Sequence, residues 1–281
     1  MEQYLSALKQ ILADGVDKGD RTGTGTRALF GMQFRYKMDD GFPLITTKKM
    51  PWKSIVSELL WFIEGSNDER RLAEILHGTR TADKQTIWTA NAQAPYWKHK
   101  ARFDGDLGRV YGVQWRSWRS PDGKEIDQLS KAVEMIKKNP NDRRIIVNAW
   151  NPGELDRMAL PPCHTFFQFF VADKRLSLQM YQRSCDMFLG VPFNIASYSL
   201  LLHMVAHVCD LKPGDFVHTL GDAHIYNNHF SQVREQLTRN PLPLPQLWLN
   251  PDIKHIDDFT MGDIRLENYR SHDPIKAPMA V

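Results

Sequence analysis

The sequence predicts an α/β protein: helices and strands interleaved along one domain. Apolar residues recur at helical spacing in several windows, most strongly as Trp52, Ile55, Val56, Leu59, Leu60 and Ile63. Elsewhere the period is two, most cleanly where Leu176, Leu178 and Met180 alternate with Ser177, Gln179 and Tyr181. The third observation is continuity. The 281 residues contain no internal repeat, low-complexity tract or clear linker, so a single domain over 1–281 is expected. With 42% hydrophobic and 25% charged residues, the chain has ample material for a sizeable core.

Composition also narrows the partners. A net charge of +3 argues against a dedicated nucleic-acid coat but tolerates small anionic substrates. Three cysteines without a C-x-x-C pair fit neither a disulfide framework nor a zinc site, so reduced thiols and a cytoplasmic location are expected. The histidines show no metal-binding spacing, and no metal is expected. Met1-Glu2-Gln3-Tyr4 does not resemble a signal peptide. The most apolar stretch, 195–209, is shorter than a membrane span and carries His203 and His207, so no membrane partner is expected.

In chain order, Tyr4, Leu5, Leu8, Ile11 and Leu12 predict a helix stopped near Gly15. Asp20-Arg21-Thr22-Gly23-Thr24-Gly25-Thr26 follows, a donor-rich loop that either wraps an anion or simply turns the chain. It lacks the lysine of a P-loop. Residues 29–36 read as a strand. Within the helix around Trp52 to Ile63, Glu58 shares the face of Ile55 and Phe62. An acid on that stripe has a raised pKa and suits a proton shuttle, unless it sits at the rim.

Residues 78–105 read as a long polar excursion, a kind of segment that is often functional. Tyr111, Trp115 and Trp118 either stack a heterocycle or pack the core. Ile126, Leu129, Val133 and Ile136 predict a helix ended by Asn139-Pro140, and Ile145-Ile146-Val147 a buried strand. Between them, Arg143 and Arg144 either form a solvated face or clamp a phosphate. An apolar run at 166–171 predicts another strand.

The chemistry is expected at Leu160-Pro161-Pro162-Cys163-His164. Two prolines stiffen the turn, and a stiff turn at a sheet edge holds a nucleophile in place. A buried, inert thiol is the alternative. Tyr181-Gln182-Arg183-Ser184-Cys185-Asp186 supports the reactive reading, because Arg183 at a strand end is suited to stabilise a thiolate and to hold an anion. Asn194 is placed to cap a helix over 195–209. His224 and Tyr226, two apart in an extended segment, either bond a hydroxyl or stand as half-exposed polar residues. The apolar tail, 275–281, is expected to dock.

Taken together, the motifs resemble the cysteine-dependent, folate-using thymidylate synthase family. The set also includes Gly41-Phe42-Pro43-Leu44, Glu58-Leu59-Leu60-Trp61, Gly108-Arg109-Val110-Tyr111-Gly112, Pro192-Phe193-Asn194-Ile195-Ala196-Ser197-Tyr198 and Gly221-Asp222-Ala223-His224-Ile225-Tyr226. Each is weak alone, but their joint order across nearly the whole chain is specific. The resemblance implies a large, bent, mixed β-sheet covered by helices, and a homodimer packed sheet to sheet. It implies 2′-deoxyuridine 5′-monophosphate (dUMP) as substrate and 5,10-methylenetetrahydrofolate as carbon donor.

On the same resemblance Cys163 adds to C6 of the pyrimidine and Glu58 moves protons through water, with Tyr111 and His164 in the catalytic group. Arg21, Arg183 and Ser184 hold the phosphate, joined by Arg143 and Arg144 of the partner subunit. His224 and Tyr226 hold the 3′-hydroxyl. Asn194 reads uracil, where related deoxycytidylate hydroxymethylases carry aspartate. Gln182 and Asp186 complete the nucleotide set. Asp186, Gly190, Trp88, Ile87, Lys48, Ala280 and the terminal Val281 belong to the folate site.

The chain departs from the family after Ile87-Trp88, where Thr89-Ala90-Asn91 replaces the commonest Asp-Glu-Trp. The segment abuts the folate, so two fates of the transferred carbon stay open: reduction by hydride, as in the synthase, or addition of water, as in viral hydroxymethylases. Retained Trp88 and the apolar tail favour hydride. Nucleic-acid binding, to the chain's own message, is a third reading, and it lacks the basic excess such a role needs.

Overall fold

The computed structural model describes residues 1–279. Ala280 and Val281, assigned above to the folate site, lie outside the described residues.

Helix α1 (Glu2–Asp14) buries Tyr4, Leu8 and Ile11, the stripe its sequence predicts. It packs against strand β2 (Thr26–Lys37), which pairs with the short β1 (Val16–Lys18). Helix α2 (Trp52–Ile63) is buried from Ile55 onward. Asp68 caps α3 (Glu69–His77) by accepting from the Arg70 N–H. The excursion at 78–105 is not structureless: it contains two short helices, α4 (Thr89–Gln93) and α5 (Pro95–Lys98). Trp97 anchors the second by donating to the Asp106 carbonyl at 2.6 Å.

The aromatic segment forms α6 (Tyr111–Arg116). Ile126 does not begin a helix as expected. It ends a small hairpin, β3 (Trp118–Arg119) with β4 (Glu125–Ile126), and the helix α7 (Gln128–Lys138) starts after the Asp127 cap. Asp127 accepts from the Ser130 N–H, and this capping sets the boundary.

Strand β5 (Ile146–Asn148) is a sheet edge, so the expected buried strand is buried only on alternate residues: Val147 is fully covered and Ile146 is exposed. Strands β6 (His164–Ala172) and β7 (Arg175–Asp186) form an antiparallel pair. Helix α8 (Gly190–Val208) then crosses to β8 (Lys212–Tyr226), which runs parallel to β7. Helix α9 (Phe230–Leu237) and the hairpin of β9 (Gln246–Leu249) with β10 (Ile264–Glu267) finish the chain.

The main sheet has six strands in the order β1-β2-β8-β7-β6-β5 and is mixed. Helix α8 begins at Gly190, not at the expected cap Asn194. Pro192 is tolerated because N–H groups in a first turn have no helical partner. The longer helix, 19 residues, is therefore long and apolar enough to cross a membrane by length and composition, contrary to the expectation from the shorter stretch. It is the core helix of this fold, with 83% of its apolar window buried. The tail docks as expected: Ile275 and Ala277 pack on the core, and the Pro278 carbonyl bonds His229 Nε2 at 2.7 Å.

Candidate active site

Strand register gathers most of the candidate residues at one end of the sheet. Cys163 immediately precedes β6, and His164 pairs with Gln182 of β7. The parallel ladder sets Ser184 beside Asp222 and Asp186 beside His224. Across the next pairing, Tyr226 lies opposite Thr26, directly after the loop that carries Arg21. That loop is shaped by Asp20, which accepts from the N–H groups of Thr22 and Gly25 at 2.8 and 2.6 Å. Gly23 and Gly25 both have positive φ, which explains the glycines. Arg21 is exposed. Tyr226 feels the charges of Asp186, Asp20, Cys163 and Arg21, and burial together with the acidic neighbours pushes its hydroxyl up to about 12.

The Pro-Pro turn is bolted to β7. Arg183 donates through Nε to the Pro162 carbonyl at 2.8 Å and through Nη2 to that of Pro161 at 2.9 Å. The Arg183 N–H donates to the Cys163 carbonyl, and its guanidinium stacks over Trp150. The Cys163 N–H donates to the Tyr111 hydroxyl at 2.7 Å. Cys163 is half-buried. Burial raises its pKa, and the Arg183 charge opposes that rise, with further help from hydrogen bonds to Tyr111 and Ser184. His164 stacks on Tyr111 at 4.1 Å between ring centres, and its Nδ1 bonds the Tyr198 hydroxyl at 2.6 Å. Burial, then the charge of His218, pushes its pKa down to about 3, so the imidazole is neutral at working pH. It acts here as a hydrogen-bonding and packing group.

Glu58 sits on the buried face, not at the rim. Its carboxylate accepts from Trp88 Nε1 at 2.7 Å, and burial raises its pKa to about 7 against the pull of that bond. Trp88 in turn contacts Tyr111 edge to face. A continuous path of aromatic groups therefore runs from the acid to the cysteine.

Asn194 is in the first turns of α8 and makes a side-chain bond instead of a cap. Its Oδ1 accepts from Gln182 Nε2 at 3.0 Å, and Gln182 Oε1 meets Nε2 of the fully buried His218 at 2.9 Å. His218 is also held neutral by burial, with a pKa of about 3. Such a chain fixes which way each amide points. Asp186 accepts from the N–H groups of Phe188 and Leu189, shaping the approach to Gly190. Lys48 is buried nearby. Its Nζ donates to the Phe188 carbonyl and lies 3.6 Å from the Phe188 ring centre. Burial lowers its pKa to about 7, with Asp186 opposing. His224 Nδ1 meets Asp222 Oδ1 at 3.1 Å, and Lys18 pairs with the other Asp222 oxygen.

Not every candidate gathers here. Arg143 and Arg144 are exposed and lie beside Gln168, well along β6 from His164; Arg144 pairs with Asp142. Ile87 is half exposed next to buried Trp88. Four supporting residues escaped the sequence reading: Tyr198, His218, Asp222 and the buried Glu69. The first three lie within or beside recognised motifs, but their partners come from other strands, which no local period reveals.

The family model for thymidylate synthase matches residues 2–281. That match carries with it an enzyme of the methyltransferase class, acting on dUMP with a folate co-substrate. The chain belongs to the thymidylate synthase family.

Proposed function

We propose that the chain transfers a one-carbon unit from 5,10-methylenetetrahydrofolate to C5 of dUMP and reduces it, giving thymidylate (dTMP) and dihydrofolate. The observation that carries this reading is the buried Glu58–Trp88 pair linked through Tyr111 to Cys163. Cys163 Sγ adds to C6, and the electron pair of the C5–C6 double bond moves toward C5 and O4. Asn194 holds O4 and N3–H. A cytosine ring presents the opposite donors and acceptors, and each buried mispair costs on the order of 1–3 kcal/mol. Arg21, Arg183 and Ser184 hold the phosphate, and His224 with Tyr226 the 3′-hydroxyl. Gln182 positions Asn194, while Tyr111 and His164 wall the reacting ring.

The folate supplies the carbon and, in the synthase reaction, the hydride. Lys48, Ile87, Trp88, Asp186 and Gly190 are its proposed contacts. Asp186 fits this part, since its backbone bonds both use Oδ1. Glu58, with a pKa near 7, exchanges the protons that C5 and O4 lose and gain. C5 attacks the folate methylene; as the C5 proton leaves, the carbon–nitrogen bond to the folate breaks, and hydride addition to the exocyclic carbon then breaks the C6–S bond and expels the Cys163 thiolate. The working unit is a cytoplasmic homodimer of single-domain chains, each lending Arg143 and Arg144 to its partner's phosphate site.

Incubation with dUMP and methylenetetrahydrofolate tests this by product analysis. Mass spectrometry should find dTMP together with dihydrofolate. Hydroxymethyl-deoxyuridylate with tetrahydrofolate would instead assign water as the acceptor. Cys163→Ser should lower turnover by more than about a thousandfold while retaining nucleotide binding. Near wild-type turnover in that variant would remove Cys163 from the mechanism.

A further inference from the structure

Trp88 holds Glu58, so the acid is only as well placed as the turn that carries the indole. That turn, just before α4, has no strand or long helix to fix it. It is pinned instead to a buried carboxylate in the first turn of α3. Glu69 is 1% exposed, and its Oε1 accepts from the hydroxyls of Thr86 and Thr89, each at 2.6 Å. Arg70 grips both Glu69 oxygens at 2.6 Å and reaches the carbonyls of Thr81 and Lys84.

The two threonines then hold the backbone. Trp88 N–H donates to Thr86 Oγ1 at 3.1 Å, and Thr86 N–H donates to Thr89 Oγ1 at 2.8 Å. The route from Glu69 to the catalytic acid is therefore unbroken: carboxylate, threonine hydroxyl, Trp88 backbone, Trp88 indole, Glu58.

We propose that Glu69 is a positioning residue, acting through Thr86 and Thr89 to hold the Trp88 indole on Glu58. Thr89 stands where the commonest family pattern has aspartate. A carboxylate at that place would face Glu69 in a buried site, where like charges repel strongly. A hydroxyl donates to Glu69 instead. Thr89 and Glu69 form one hydrogen-bonded device. This inference rests on the proton-handling role proposed for Glu58.

The test combines a structural signal with kinetics. Tryptophan labelled with nitrogen-15 gives an indole N–H resonance for Trp88, identified by its loss in Trp88→Phe. Thr89→Val keeps the side-chain shape and removes the hydroxyl. It should shift that resonance and lower kcat at least about tenfold, with the Kd for dUMP within about twofold, because small displacements of a catalytic group are costly. Glu69→Leu should behave alike. Glu69→Gln retains an oxygen for both hydroxyls and should recover most of kcat. If Glu69→Leu does not fold, Thr89→Val and Glu69→Gln decide. An unmoved Trp88 signal in Thr89→Val, or a moved signal with unchanged kcat, overturns the proposal. A wild-type protein that makes no dTMP overturns the functional reading instead, and the resonance still reports whether Thr89 holds Trp88.

Discussion

Glu58 shows what burial does to one acid. Its folded pKa of about 7 lies above the ordinary 4.5. Between those values the folded state keeps a proton that the unfolded state has released, so stability falls as pH rises through that window. The loss amounts to about 3 kcal/mol above pH 7. Glu58→Gln removes the titration and still accepts from the Trp88 indole. Urea denaturation at pH 5 and pH 8 should therefore show the variant gaining on wild type as pH rises, with turnover lost. A parallel pH dependence in the two proteins would mean the carboxyl titrates normally. The helical period already places residue 58 on the face of Ile55 and Phe62, which is why a raised pKa was readable from sequence. Its partner Trp88, thirty residues on, was not, because that contact is made by tertiary packing. Glu69 is more hidden still. In sequence it is a first-turn acid behind an Asp cap, the commonest place for an acid on a helix.

Elements carry the site by where they start and how closely they pack. Strand β6 is legible as an apolar run and β7 by its clean alternation, and Arg183 falls near the end of β7, as the pattern indicates. The start of α8 was not. Residues 190–193 hold Gly190 and Pro192, which locally read as loop, while Asp186 makes them a helix start by bonding the N–H groups before it. Packing is close where α6 meets α2. A Cβ on Gly112 would lie 2.4 Å from the Phe62 carbonyl oxygen and 2.7 Å from its Cα. Both atoms are backbone, so neither can swing aside. Gly112→Ala should push α6 off α2 at a cost of about 1–3 kcal/mol. Tyr111, the adjacent residue, should then lose its bond to the Cys163 N–H, and kcat should fall along with the denaturation midpoint. A midpoint equal to wild type would show that the α2–α6 spacing accommodates a methyl group.

At the scale of the molecule, the two faces of the main sheet differ. Phe167, Phe169, Leu176, Leu178 and Met180 are buried on one, while Phe166 and Phe170 stand out of β6 on the other, with Ile146 beside them on β5. Phe166 stacks on Tyr181 of the next strand, and Phe170 is 64% exposed. Apolar side chains grouped on an uncovered face are suited to a second copy of the chain. Arg143 and Arg144 emerge next to this face and away from their own Cys163, the placement a shared phosphate site requires. Phe170→Asp changes an exposed position, so it should leave the fold intact, and light scattering should register a mass near 32.5 kDa rather than twice that. A variant that still runs as a dimer would place the interface elsewhere. The sharing itself is tested by mixing Arg144→Ala chains with Cys163→Ser chains. Each parent dimer lacks a necessary group at both sites, whereas a hybrid has one site with Cys163 from one chain and Arg144 from the other. Random exchange should restore roughly a quarter of the wild-type rate per site. Confirmed hybrids without recovery would mean that Arg144 does not reach across, and that the phosphate is held by Arg21 and Arg183 of its own chain.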